Sequence, residues 1–199
     1  NAVRLGLALG VGWWLVVAAL AFVQHRIGNV FSLAYVGAHA RLLLVIPLFF
    51  IGESWVAPRM AQFVALIART GVVRDRAALS TEVARANWLA NAWWPEAACL
   101  IAAIGLQMTG TRLHPYGTTG TYDPSQYSLM AIAYFHVGIT LFRFLVFRWG
   151  WKLALWGWFL WRVSRLELHL MPGHPDRAGG LGTLAEVHER FIPLVVALS

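Results

Sequence analysis

The feature that most restricts how this chain can fold is its first long apolar segment, VRLGLALGVGWWLVVAALAFV at residues 3–23, in which Arg4 is the single charged residue. A helix needs about 20 such residues to cross the roughly 30 Å hydrocarbon core of a bilayer. Comparable runs recur along the chain, and 13% of all residues are charged. A soluble domain carries about 25% charged residues. The sequence therefore predicts an all-α fold, a polytopic transmembrane helix bundle.

We predict a single transmembrane domain that covers residues 1–199 and contains five spans. The predicted spans are 3–23, 35–57, 88–108, 129–147 and a truncated 183–199. Two more polar segments, 59–86 and 148–170, are expected to form interfacial amphipathic helices on the cytoplasmic side. For 148–170 a second interpretation is open, in which the segment continues the fourth span.

The distribution of Lys and Arg predicts the orientation of these spans. Segments 57–87 and 148–178 contain five basic residues each, whereas 109–128 contains Arg112 alone. Cytoplasmic loops carry an excess of Lys and Arg, so we expect a multi-pass protein of the bacterial inner membrane with both basic segments inside. Because the basic residues are dispersed and form no single face, the net charge of +7 does not indicate nucleic acid as a partner.

Ionisable residues within the predicted spans form the first candidate site. Each such group costs about 2.5–3.5 kcal/mol at mid-membrane depth unless it is paired or hydrated. Glu53, Glu96 and Arg143 lie on three spans toward the cytoplasmic half, and His136 lies nearer mid-span. We predict an intramembrane polar cluster of these four residues, serving either as a salt bridge between helices or as the lining of a polar path. In a third interpretation, Arg143 alone extends to the membrane surface.

Histidines and the single cysteine raise the question of a metal or cofactor. His39 and His136 on facing helices have the chemistry to bind a haem iron, but no second histidine stands at helical spacing to support either ligand. Hydrogen-bonded packing is therefore the preferred interpretation. Cys99 lies in an apolar run, which favours a small packing residue. We expect no metal site, no cofactor and no disulfide.

The polar loop LMPGHPDRAGGLG at residues 170–182 is the second candidate site. Its prolines and glycines indicate a rigid corner between two membrane helices. His174, Asp176 and Arg177 also have the chemistry of a base, an orienting carboxylate and a phosphate ligand. The glycines lack the Gly-Lys-Ser/Thr that a nucleotide-binding loop requires. After the loop, Thr183 and Glu186 fit a capping box at a helix start.

The Trp- and Arg-rich segment followed by HPDRAGGLG, together with GAHARLLLVIPLFFIGESWV in the second predicted span, resembles a family of uncharacterised bacterial multi-pass inner-membrane proteins. The resemblance covers residues from about 38 to 184. It implies an α-helical protein of the cytoplasmic membrane and assigns no activity to any residue.

The preferred functional hypothesis is a non-enzymatic channel or transporter that forms a homo-oligomer among membrane lipids, because ionisable residues stand on several spans. One alternative is an accessory or scaffolding subunit of a larger membrane complex, which the density of tryptophans motivates. Another is a membrane-interface enzyme that acts on lipid head groups through the 170–182 loop. No residue is assigned as catalytic.

Overall fold

A computed structural model describes residues 2–25, 36–113, 133–169, 178–179 and 181–198. About 87% of these residues are helical, and no β-strand forms among them, which confirms the all-α fold class. In chain order the α-helices are α1 (Ala2–Val23), α2 (Val36–His39), α3 (Ile46–Thr70), α4 (Arg76–Asn91), α5 (Trp93–Leu113), α6 (Ile139–Ser164), α7 (Thr183–Glu189) and α8 (Ile192–Leu198).

Two segments of the described chain are long and apolar enough to cross a membrane, Val3–Val23 and the 31-residue segment Ala40–Thr70. A third is added if α4 and α5, which meet at a bend of 44°, act as one span. The described part of the predicted span 129–147 is not among them. Its helix, α6, carries three basic residues in its first part, and these lower the apolar character of the segment.

The second predicted span, 35–57, is part of a longer helix. This helix, α3, continues through Pro58 and ends at Thr70. Its C-cap residue is Gly71, which adopts φ +71°. Proline inside a helix removes one backbone hydrogen bond, but Phe63 and Ile67 beyond it are buried and hold the helix together. At 1.5 Å per residue the 31-residue segment is about 46 Å long. This length exceeds the roughly 30 Å of a hydrocarbon core, so a span of this segment would leave part of it outside the core.

Two interpretations are open for the segment 148–170, and its helix agrees with the one in which it continues from the fourth predicted span. A single helix, α6, runs from Ile139 to Ser164 without a break. Trp149 and Trp156 stand seven residues apart on one face and are both buried. The ring of Trp156 contacts Phe63 of α3 edge-on, with a centroid separation of 5.8 Å. Burial of these large rings favours the helix as far as Ser164, where α6 ends.

The end of the described chain differs from the predicted fifth span 183–199. Two short helices, α7 and α8, replace one continuous helix. Pro193 lies in the first turn of α8 and has no N–H to donate to the preceding turn, which accounts for the break. The predicted capping box is wrong. Gly182 is the N-cap of α7, and the buried Thr183 hydroxyl finds no hydrogen-bond partner among the described residues.

Two glycines bring α1 against α3. Gly6 and Gly10 lie one turn apart, so both face the same side of α1. A Cβ atom on Gly6 would stand 2.7 Å from Phe50, and one on Gly10 would stand 2.3 Å from the Leu42 carbonyl oxygen. Glycine pairs with this spacing let helix backbones approach closely in membranes. Because Gly6 meets Phe50 and Gly10 meets Leu42, α1 and α3 are antiparallel.

A second hairpin repeats this arrangement. Trp94 of α5 contacts Trp151 of α6, with ring centroids 5.5 Å apart. Gln107, farther along α5, accepts a hydrogen bond from Arg143, which is earlier on α6. These two helices are therefore antiparallel. We call α1 with α3 the first hairpin and α5 with α6 the second hairpin.

The long helices of the two hairpins lie side by side in parallel. Phe49 contacts Phe142 and Phe63 contacts Trp156, so residues advance in the same order along α3 and α6. Beyond their ends the connecting segments also meet, where the His169 N–H donates to the Val72 carbonyl at 2.7 Å. The two hairpins thus have the same direction as well as the same order of elements.

Each long helix also begins with a π-helical segment, Ala40–Val45 before α3 and Tyr134–Gly138 before α6. Pro47 explains the first of these. Its ring would clash with the carbonyl one turn earlier in a regular helix, and the wider π turn, in which the Ile46 N–H bonds to the Arg41 carbonyl, relieves that clash. Such π turns are frequent at functional sites.

Candidate functional site

The candidate site is built around Arg148 on α6, which binds residues of both α3 and α5. Its Nη1 and Nη2 atoms donate to the two carboxylate oxygens of Glu53 at 2.7 and 3.1 Å. Its Nε atom donates to Glu96 at 3.0 Å. One guanidinium therefore joins carboxylates from two other helices. The paired hydrogen bonds to Glu53 fix the orientation of the guanidinium plane, because both groups are planar.

Lys152 completes this group. It follows Arg148 by four residues, so both side chains extend from the same face of α6. The Lys152 ammonium donates to the Glu53 carboxylate. We call Glu53, Glu96, Arg148 and Lys152 the Glu53 network. It contains two carboxylates and two cations, so its formal charge is zero, which reduces the cost of holding it away from water.

The members of the Glu53 network differ in how far they are covered by the chain. The side chain of Arg148 is 20% exposed, whereas that of Glu96 is 56% exposed. Glu96 lies in the first turn of α5, where the helix dipole favours a negative charge. Leu100, one turn farther on the same face, is also exposed. Glu96 is thus the member that an approaching solute or a neighbouring molecule reaches first.

The structure brings two of the four predicted intramembrane residues together. Glu53 and Glu96 bind the same guanidinium, which belongs to Arg148 where we expected Arg143. Arg143 instead donates through Nη1 to Oε1 of Gln107 at 2.6 Å. His136 lies in the second π-helical segment, seven residues before Arg143.

The sequence prediction does not include Arg148 and Lys152 of the Glu53 network, nor Gln107, the partner of Arg143. The sequence places Arg148 and Lys152 in a predicted surface segment, where both indicate the orientation of the spans, and gives Gln107 no role. The spacing of the two basic residues was the available signal, since positions four apart lie on one helix face. No sequence pattern distinguished Gln107 from other polar residues near span ends.

A second group of ion pairs joins α4 and α7 to the long helices α6 and α3. Glu82 on α4 is buried and accepts from Nε and Nη2 of Arg162 at 3.0 and 2.5 Å. Arg59 on α3 pairs with Glu186 on α7 at 3.4 Å, and this second pair is exposed. Exposed pairs contribute about 0–1 kcal/mol. Glu82 also accepts from Arg85 of its own helix at 3.2 Å. We take the Glu53 network as the candidate for function because it joins three helices from both hairpins.

The histidine expected to pack by hydrogen bonding does so at His39. Trp14 of α1 donates its indole N–H to Nδ1 of His39 at 2.8 Å. Nδ1 must therefore carry a lone pair, which the neutral ring supplies. This bond joins the first hairpin at the end where its π-helical segment begins. Among the described residues no group of three or more His, Cys, Asp or Glu side chains gathers at metal-binding distance.

The candidate loop site of His174, Asp176 and Arg177 lies outside the described residues.

Comparison of the chain with protein families, with curated proteins and with solved structures finds no match. The resemblance to uncharacterised inner-membrane proteins therefore stays a prediction.

Proposed function

We propose that the protein is a non-enzymatic channel or transporter for small charged or polar solutes in the bacterial inner membrane, with the Glu53 network on its polar path. The supporting observation is that Arg148 binds both Glu53 and Glu96, on two other helices, within an apolar helix bundle. Ionisable groups in membrane helices are rare because they are costly, and they mark substrate and ion pathways.

A purely structural role would account poorly for the composition of this network. Replacing a buried ion pair by packed apolar residues is often neutral or stabilising, so adhesion between helices does not require four ionisable side chains. Arg148 has two carboxylate partners and Glu53 has two cationic partners. Either residue can release one partner while keeping the other, which is suited to a path whose charges exchange partners.

The position of the network between the hairpins adds a second argument. Glu53 belongs to the first hairpin, while Arg148, Lys152 and Glu96 belong to the second. Many transporters consist of repeated helix groups with the substrate site at their interface. If one hairpin tilts against the other, the contacts of Glu53 break, whereas the contact between Arg148 and Glu96 is retained within the second hairpin.

We propose further that the functional unit is a homo-oligomer in the lipid bilayer. Glu96 and Leu100 are exposed on the same face of α5, and Ile101 beside them is 70% exposed. A carboxylate beside apolar side chains is poorly accommodated by lipid tails. A second copy of the chain, or water held between copies, satisfies Glu96 better.

Liposome flux measurements test the proposal. The purified protein is reconstituted with fluorescent reporters for protons, K⁺ and Cl⁻. We expect flux of at least one of these ions above that of empty liposomes, and we expect Arg148→Gln and Glu96→Gln to lose it. Glu186→Gln is the matched control, because it removes an exposed carboxylate of α7. No flux of any of the three ions with correctly folded protein would contradict the proposal.

Exposed tryptophans favour a second candidate, an accessory subunit of a larger membrane complex. Trp88, Trp93 and Trp94 line a shallow cleft of about 470 Å³ at the bend between α4 and α5, and Trp93 is 79% exposed. Aromatic residues are enriched at protein interfaces as well as at the membrane surface. Purification in mild detergent tests this candidate. An accessory subunit should co-purify with a second protein in fixed stoichiometry.

The third hypothesis, an enzyme that acts on lipid head groups, depends on the 170–182 loop.

A further inference from the structure

The segments that follow the two long helices pair with each other in a short antiparallel bridge. Val73, shortly after the end of α3, lies opposite Leu168, shortly after the end of α6. On each side, the residue after the bridge residue donates its N–H to the carbonyl of the residue before the opposite bridge residue, at 2.7 and 3.1 Å. Exchange of the two segments converts one of these hydrogen bonds into the other. The bridge therefore has local two-fold symmetry.

Contacts between the two long helices follow the same symmetry. Each helix begins directly after its π-helical segment, and α6 begins 93 positions after α3. Phe49 contacts Phe142 and Phe63 contacts Trp156, and both pairs are separated by the same 93 positions. In a two-fold symmetric contact, residues near the axis face their own equivalents. A pseudo-two-fold axis therefore runs between α3 and α6, along their common direction.

The shorter helices are exchanged between the two hairpins. α4 follows the first hairpin in the chain but packs on α6, where Glu82 binds Arg162. α7 and α8 follow the second hairpin but pack on α3, where Glu186 pairs with Arg59 at 3.4 Å. We call α1, α3, α7 and α8 the first body, and α4, α5 and α6 the second body. The chain passes between the bodies twice, once after α3 and once after α6, and the bridge joins these two crossings.

The two bodies are held together differently at the bridge and along the long helices. Among the described residues, every backbone hydrogen bond between the bodies lies in the bridge, where Val73 is buried. Along α3 and α6 the bodies meet through side chains, namely the aromatic pairs and the ion pairs of Glu53 with Arg148 and Lys152. Domain motions occur about a few residues at the ends of elements, where the chain crosses from one body to the other. Both crossings of this chain are at one end of the bundle.

We propose that the bridge is a hinge about which the two bodies rock, and that the bundle opens at the end where both long helices begin. The role of this motion in transport rests on the proposed function. Thr70 follows Glu53 by 17 residues, so the Glu53 network lies about 26 Å from the hinge. At that distance a tilt of about 10° moves Glu53 by about 4–5 Å relative to α6, which is enough to break its ion pairs. Residues beside the bridge move much less.

A disulfide across the hinge tests the proposal in the transporting protein. Val73 and Leu168 form a non-hydrogen-bonded antiparallel pair, in which the Cα atoms lie about 4.5 Å apart, within the range that a disulfide spans. Val73→Cys and Leu168→Cys are combined with Cys99→Ala, which removes the single cysteine of the chain. Ion flux in liposomes is measured with the disulfide oxidised and then reduced. Cys99→Ala alone, treated with the same oxidant, is the control.

Distances between spin labels test the hinge without requiring transport. Cysteines for one pair of labels replace Leu44 and Val137, which are exposed in the two π-helical segments and are also 93 positions apart. Cysteines for the other pair replace Ala65 and Ser164, which are exposed near the bridge ends of α3 and α6. Pulsed electron paramagnetic resonance is recorded in lipid for each pair, with and without Arg148→Gln, which weakens the contact between the bodies.

We expect the disulfide to form and to leave the flux unchanged. Arg148→Gln should broaden or lengthen the distances between positions 44 and 137 by several ångström, with little change between positions 65 and 164. Failure of the disulfide to form in the folded protein overturns the hinge. So do flux that is lost on oxidation and regained on reduction, and equal changes, or none, at the two label pairs.

The two measurements separate failure of the hinge from failure of the proposed function. If the label distances change as expected but no ion crosses the liposome membrane in the parent protein, the hinge stands and the proposed function fails. If ions cross in the parent protein but the disulfide abolishes the flux reversibly, the proposed function stands and the hinge fails.

Discussion

Gly10 on α1 lies so close to Leu42 that a Cβ atom at position 10 would stand 2.3 Å from the Leu42 carbonyl oxygen. That oxygen belongs to the first π-helical segment. In a π-helix it would accept a hydrogen bond from the backbone N–H five residues later, but that residue is Pro47, which has no N–H. The backbone of α1 thus fills a place where a side chain does not fit.

We expect Gly10→Ala to destabilise the protein strongly, because neither the backbone of α1 nor the Leu42 carbonyl can move without breaking the contact between the two helices. Gly12→Ala is the control on the same helix, since nothing lies within 4 Å of a Cβ atom at that position. Alanine is favoured over glycine in helices by about 0.5–1 kcal/mol. Thermal unfolding in detergent should therefore show a large fall in Tm for Gly10→Ala and none for Gly12→Ala. Equal Tm values would contradict the close packing of α1 on α3.

The buried Glu82 should matter more for stability than the exposed Glu186. Glu82→Gln removes the buried negative charge and leaves one acceptor oxygen where Arg162 and Arg85 have two, so both guanidinium groups lose their carboxylate. Glu186→Gln removes one contact of 3.4 Å at the surface and should change the free energy of unfolding by less than about 0.5 kcal/mol. The measurement is thermal unfolding of both variants beside the parent. A Glu82→Gln variant as stable as Glu186→Gln would show that α4 is held to α6 in another way.

Arg148 and Glu53 should be energetically coupled. A double-mutant cycle with Arg148→Gln and Glu53→Gln isolates their interaction, which we expect at about 0.5–3 kcal/mol for groups in one ion-pair network. Arg148→Lys should not preserve this coupling energy. A lysine ammonium cannot donate to both oxygens of Glu53 in the plane of the carboxylate while it also binds Glu96. Additive effects of the two single substitutions would argue against direct pairing.

Much of the fold followed from apolar run length, and part of the site followed from the cost of charge in lipid. The bounds of α1 agree closely with the predicted first span because its sequence is apolar apart from Arg4 near its start. Glu53 and Glu96 were expected to meet because a carboxylate in a span needs a cation. Which cation binds them depends on helix packing, and basic residues also signal topology. For that reason Arg148 and Lys152 were assigned to the membrane surface.

The remaining differences depend on tertiary contacts that local sequence does not encode. The predicted second span ends at residue 57, but packing of Phe63 against Trp156 on α6 keeps the chain helical through Pro58 to Thr70. Thr183 and Glu186 matched a capping pattern, yet α7 begins with Gly182 as its N-cap. Gly6 and Gly10 form a small-residue pattern in an apolar helix, which indicates a helix-packing face. The sequence does not show which segment packs against that face.

The central claim is that the ion pairs between the hairpins lie on the transport path, and a charge exchange tests it most directly. Glu53→Lys places a third cation beside Arg148 and Lys152, whereas Glu53→Lys combined with Lys152→Glu restores the balance with the signs exchanged. The account predicts that liposome flux is lost in Glu53→Lys and recovers in part in the double variant. Flux equal to that of the parent in correctly folded Glu53→Lys would contradict it.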